Sequence, residues 1–141
     1  MPSLTYNGTL LKWIENGKVA AQFPATSGLP DSQKPSQQCV KDSGPIPEGT
    51  YVLRLKFNNN IIAVVADPQT CKLKAATGIQ QIPDGDSKKG TAHCTPYWNN
   101  WGSNRVRIDA YDSKARKACK GTRDGFYLHD SSKGFSHGCI E

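Results

Sequence analysis

The segment His129-Asp-Ser-Ser-Lys-Gly-Phe-Ser136-His137-Gly138-Cys139-Ile-Glu141 carries a cysteine with one histidine two residues before it and another ten before it. A free thiol is only a few per cent thiolate at neutral pH, so a cysteine nucleophile needs a nearby imidazole or similar group. The chain has three histidines, and two of them fall here. On this reading Cys139 is the nucleophile and His129 its general base, with His137 lining the pocket or acting as the base itself. Gly138 lets the backbone approach closely, and the peptide N–H groups around Gly138 and Cys139 are oxyanion donors. Asp130 or a backbone carbonyl would orient the imidazole. Ser136 would donate to substrate or support the turn.

These residues must be held by a small β-fold. The chain has 141 residues with 13 Gly and 9 Pro, a composition of short strands and many turns in one domain. Asn7-Gly8 and Asn16-Gly17 separate Leu4–Tyr6, Leu10–Ile14 and Val19–Phe23, so the chain is expected to open as a β-meander. Further strands are expected at Thr50–Phe57, Ile61–Val65, Arg105–Asp109 and Gly125–His129. The last of these alternates, with Tyr127 and His129 on one face and Phe126 and Leu128 on the other. Asp67 to Gly102 reads as loop, and a short helix is a weak fit to Ser113–Lys120.

Charge and cysteine count narrow the setting. The net charge is +6, densest over Lys114, Arg116, Lys117, Lys120 and Arg123. No nucleic-acid module accompanies that run, which reads as a solvated basic face, or more weakly as an attraction for an anionic glycan. No stretch is long and apolar enough for a membrane span, and no signal peptide is evident. The five cysteines suggest two disulfides among Cys39, Cys71, Cys94 and Cys119, in any of three pairings, with Cys139 left free. Such disulfides imply an oxidising compartment. A zinc site from His129, His137, Cys139 and the His93-Cys94 pair lacks metal-ligand spacing. Asp84-Gly-Asp86 is a turn rather than a calcium loop. No cofactor and no metal are expected. Trp98 and Trp101 read as packing residues, with stacking on sugar or stem peptide as the functional alternative.

Ser136-His-Gly-Cys-Ile140 resembles the active-site motif of the L,D-transpeptidases, YkuD-like cysteine enzymes that act on bacterial peptidoglycan. Phe23-Pro-Ala-Thr-Ser-Gly28, Gly44-Pro-Ile-Pro-Glu-Gly-Thr-Tyr51 and Phe126-Tyr-Leu-His129 resemble further family segments in the right order. The resemblance implies one mainly β catalytic domain over residues 1–141, an antiparallel sandwich or barrel-like fold with long loops and little helix. It implies acyl transfer through a Cys139 thioester on the tetrapeptide stems of peptidoglycan, as L,D-carboxypeptidase or L,D-transpeptidase. Only six residues separate His129 from Ser136, a spacing more similar to the type VI secretion effectors of this family. That subgroup implies a secreted toxin acting in the periplasm of a target bacterium, with an immunity protein and the secretion machinery as partners. Glu141 stands where typical members carry arginine, and the end two residues after Cys139 suggests a trimmed form. The alternatives are a disulfide-stapled β-module that binds cell wall without catalysis, and a papain-like amidase cutting another stem bond.

Overall fold

A computed structural model describes residues 2–56, 58–61, 63–67, 69–72, 77–131 and 133–141, with backbone only at 63–65. Strands β1 (Ser3–Tyr6), β2 (Leu10–Glu15) and β3 (Lys18–Pro24) form the expected antiparallel meander. Asn16 and Gly17 both take positive φ at the second turn, as an Asn-Gly hairpin requires. At the first turn the Asn7 side chain accepts from the Thr9 and Leu10 N–H groups instead.

The second sheet is built around one long strand, β7 (Asn104–Ala110). Strand β8 (Phe126–His129) pairs antiparallel along one edge, with Arg105 opposite His129 and Ile108 opposite Phe126. The other edge of β7 is divided. β4 (Tyr51–Leu53) takes residues 108–110, and β6 (Ile79–Gln81) takes 104–105. β5 (Ala63–Val65) adds to β6 in parallel. This division explains why the strand expected over Thr50–Phe57 stops at Leu53: the edge beyond is occupied by β6. Phe57 and Ile62 of the expected strands lie outside the described residues.

Two elements correct the loop reading of Asp67 to Gly102. β6 is one. The other is helix α1 (Thr95–Trp101), which opens with Pro96 near its N-terminus and ends at Gly102. The 113–120 helix is shorter than expected: α2 spans Ser113–Lys117, its first turn capped by Asp112 accepting from the Ala115 N–H at 2.8 Å. Among the described residues helix accounts for 19% and strand for 29%, so the fold is mainly β with two sheets, as expected. Among the described residues no helix is long and apolar enough to cross a membrane.

The core lies where the sheets meet, around Ala25, Ile108, Phe126 and Ile140, with Tyr6, Leu11, Tyr51 and Leu128 packed against them. Burying a side chain the size of Ile140 or Phe126 contributes about 2 kcal/mol. Two disulfides fix the long loops: Cys39–Cys119 and Cys71–Cys94. Cys139 remains free.

Candidate active site

After β8 the chain turns and returns as Cys139-Ile140-Glu141. Ile140 pairs with Leu128 in parallel and with Ser27 in antiparallel sense. The His129 N–H donates to the Ile140 carbonyl and the Ile140 N–H to the Tyr127 carbonyl, both at 3.0 Å. Side chains alternate across a sheet, so this register sends Ile140 into the core with Leu128 and puts Cys139 and Glu141 on the opposite face with Tyr127 and His129. Cross-strand partners share a face, and the row continues through Arg105 to Gln80 on β6. Trp101 leans on the row from α1, its ring centre 5.3 Å from Tyr127 and 5.1 Å from His129. Gly102 makes that approach feasible, because a Cβ there would sit 2.2 Å from Asp130 Oδ1.

The turn before the thiol is held from several sides. The Ser136 hydroxyl donates to the Cys139 carbonyl at 2.6 Å and accepts from the Gly28 and Gly138 N–H groups, both at 3.3 Å. The Ser27 hydroxyl donates to the Gly138 carbonyl at 3.0 Å. Arg123 donates to the carbonyls of Gln38, Gly44, Pro45 and His137, joining the 28–44 loop to the thiol-bearing turn. Gly138 has φ of 125°, and a Cβ there would meet Arg123 at 2.4 Å. The position therefore favours glycine, since another residue would be strained at this φ and would displace Arg123 from its carbonyl partners. The Cys139 N–H makes no hydrogen bond among the described residues, which leaves it as a donor beside the sulfur.

Glu141, fully buried at its side chain, organises the histidine. Its carboxylate accepts from the Ser131 hydroxyl in a short bond, from Lys133 Nζ at 2.5 Å and from the Phe135 N–H at 2.6 Å. It lies 3.7 Å from His129 Nδ1. Ser131 Oγ is also 3.1 Å from His129 Nδ1. The single Ser131 proton goes to Glu141, so the hydroxyl must accept from His129 Nδ1–H. Nε2 then carries the lone pair. Burial lowers the His129 pKa to about 4, with Lys133 adding to the effect, against Glu141, the Trp101 carbonyl and Asp130. Burial raises the Cys139 thiol, opposed by the Tyr127 backbone N–H, Lys133 and Arg105. The resting pair is a thiol and a neutral imidazole, and the two are not hydrogen-bonded to each other.

The sequence-derived residues divide accordingly. Cys139 and His129 share one face. His137 is engaged with the 28–44 loop, where its ring Nδ1 lies 2.7 Å from the Asp42 carbonyl. The Asp130 carboxylate accepts from the Asn104 backbone and side-chain N–H groups, and Ser131 and Glu141 occupy the place beside Nδ1. Ser136 ties the turn. Glu141, Ser131, Lys133 and Arg105 had no functional reading from sequence; the one signal was a glutamate at a position where arginine is usual. Trp101 is a packing residue against the histidine, while Trp98 donates to Ser103 at 3.2 Å. Cys71, His93 and Cys94 have ligand atoms within 4.8 Å of one another, but both sulfurs are spent in their disulfide. Asp86 accepts from the Lys88 N–H at 2.8 Å in a turn. A cavity of about 580 Å³ opens on the opposite face against Ile108, Leu128 and Ile140, and the thiol does not line it.

A half-buried thiol, a neutral imidazole of fixed tautomer and a free peptide N–H, carried on a mainly β sandwich, define a cysteine acyl-transfer enzyme. Residues 5–141 match the YkuD L,D-transpeptidase catalytic domain, and the chain belongs to that family of peptidoglycan L,D-transpeptidase-type cysteine enzymes. No curated protein matches the chain.

Two outcomes follow from the electrostatics. Only thiolate is alkylated and burial favours thiol, so the iodoacetamide reaction of Cys139 should rise with pH to a midpoint above that of an ordinary exposed cysteine. A plateau from about pH 5 to 8, the mark of a thiolate–imidazolium pair, contradicts this. Glu141→Gln removes the charge that favours imidazolium during proton transfer. It should lower kcat on the order of ten- to a hundredfold with little change in KM, measured beside Ser131→Ala in circular-dichroism-matched samples. Unchanged kcat in Glu141→Gln contradicts the positioning role.

Proposed function

We propose that the protein is an L,D-carboxypeptidase and L,D-transpeptidase of peptidoglycan tetrapeptide stems, delivered as an antibacterial type VI secretion effector into the periplasm of a rival. The observation that carries the catalytic reading is the shared face of Cys139 and His129, with His129 Nε2 left as the basic nitrogen by Ser131 and Glu141.

In the first step Nε2 takes the thiol proton and Cys139 Sγ attacks the carbonyl of the third stem residue, at the L-centre of diaminopimelate. The oxyanion accepts from the Cys139 N–H. Collapse of the tetrahedral intermediate breaks the C–N bond to the terminal D-alanine, whose nitrogen takes the proton back from the imidazolium. The product is a thioester on Cys139. Water, a D-amino acid or a neighbouring diaminopimelate amine then attacks the thioester, with His129 again accepting the proton, and releases the thiol. Hydrolysis, exchange and cross-linking thus share one intermediate.

The delivery reading is supported by the short His129-to-Ser136 spacing and by two disulfides, which suit an oxidising compartment. Trimming or capping tetrapeptides removes the donors for cross-linking, which suits a toxin. An immunity protein in the producer and the secretion machinery are the partners this role requires.

Digestion of purified muropeptides, read by mass spectrometry, tests the reaction. Tetrapeptides should lose one D-alanine with the wild type, and Cys139→Ala and His129→Ala should lose at least about a hundredfold in rate. His137→Ala should retain more activity than His129→Ala. Cleavage nearer the glycan contradicts the bond assignment, and an active His129→Ala beside an inactive His137→Ala contradicts the base assignment.

A further inference from the structure

A second cavity, about 180 Å³, opens beside the catalytic row. Arg105, Trp101, Tyr97 and Lys72 line it, with Cys71 of the Cys71–Cys94 disulfide closing one side. Arg105 is 9% exposed. Its guanidinium carbon lies 4.5 Å from the Trp101 ring centre and 4.2 Å from that of Tyr127, and Nε donates to Gln80 Oε1 at 2.8 Å. The two terminal nitrogens make no hydrogen bond among the described residues.

A buried guanidinium normally has a counter-charge, because removing a cation from water is costly. Among the described residues Arg105 has no carboxylate partner. Every Asp and Glu falls among the described residues, and none pairs with it. The aromatic contacts offset part of the cost but leave the terminal N–H groups unused. Gln80 and the two rings hold the fork in one orientation, the geometry that suits a carboxylate taken through two parallel bonds.

The location is next to the chemistry. Arg105 stands opposite His129 in the sheet, packs on Tyr127 and favours the charged form of the Cys139 thiol. We propose that this pocket binds a carboxylate of the substrate peptide through the terminal nitrogens of Arg105, with Lys72 at its mouth. The proposal rests on the stem-peptide reading above. Two carboxylates of a tetrapeptide stem flank the scissile bond: that of the terminal D-alanine and that on the D-centre of diaminopimelate. Either would neutralise the buried cation and set the scissile carbonyl against the sulfur.

Three tetrapeptides separate the possibilities: unmodified, amidated at the terminal carboxylate, and amidated at the D-centre carboxylate. With the wild type, one carboxamide should be at least about tenfold poorer in kcat/KM, mainly through KM. Arg105→Gln should bring that ratio near one. A ratio between substrates cancels any effect of the charge on the thiol. Arg105→Lys, which keeps the charge without the fork, should reduce the ratio several-fold and serves if Arg105→Gln does not fold. Equal turnover of all three by wild type, or an undiminished ratio in either variant, overturns the subsite and leaves the enzyme reading standing. If wild type turns over none of them, the function reading fails, and tryptophan fluorescence decides the pocket. The unmodified tetrapeptide should perturb the emission at lower concentration than at least one of its amides, and equal titrations of all three overturn the proposal.

Discussion

The parallel pairing of Ile140 with Leu128 is the constraint on which the site depends. One residue of slip would turn Cys139 into the core and Ile140 toward the histidine, because successive side chains in an extended segment point to opposite faces. Several interactions fix the register. Ile140 fills a gap between Phe126, Ile108 and Ala25. The Glu141 and Thr26 backbones exchange hydrogen bonds at 3.0 and 2.8 Å. Ser136, Ser27 and Arg123 brace the turn before it. The thiol is thus set by packing on the face it does not occupy.

Charge is arranged around that geometry with few free ends. Glu141 faces Lys133, Ser131 and a peptide N–H, so its burial is compensated and its negative charge stays beside the imidazole. Burial and Lys133 keep the histidine neutral, ready to receive a proton, while Glu141 favours the imidazolium that forms when it does. A thiol raised by burial is mostly protonated, yet its thiolate is intrinsically the better nucleophile once formed. Arg105 is the exception on this face, a buried cation with aromatic neighbours and no carboxylate partner among the described residues.

Short-range patterns carried much of the fold in the sequence. Asn16-Gly17, the strand at Arg105–Asp109 and the split of Phe126 and Leu128 from Tyr127 and His129 all reappear in the structure, because each depends on backbone preference or a period of two. β6 was hidden because Gln80 and Gln81 look like loop residues; Gln80 is buried to hold Arg105, a contact 25 residues away. α1 is seven residues long, too short to show a helical period. Arg123 read as one member of a basic surface run, whereas its four carbonyl partners come from Gln38, Gly44, Pro45 and His137. At the site, residue types pointed to Cys139 and His129. The neighbours of the imidazole did not show, since Ser131, Lys133 and Glu141 meet only after the chain has turned back on itself.

Intact-mass and peptide-mapping spectrometry of the enzyme during turnover of a tetrapeptide stem tests the central claim most directly. The account predicts a covalent tripeptide adduct on Cys139, formed as D-alanine is released and lost as product appears. Turnover with no adduct, or with the adduct on another residue, would contradict it.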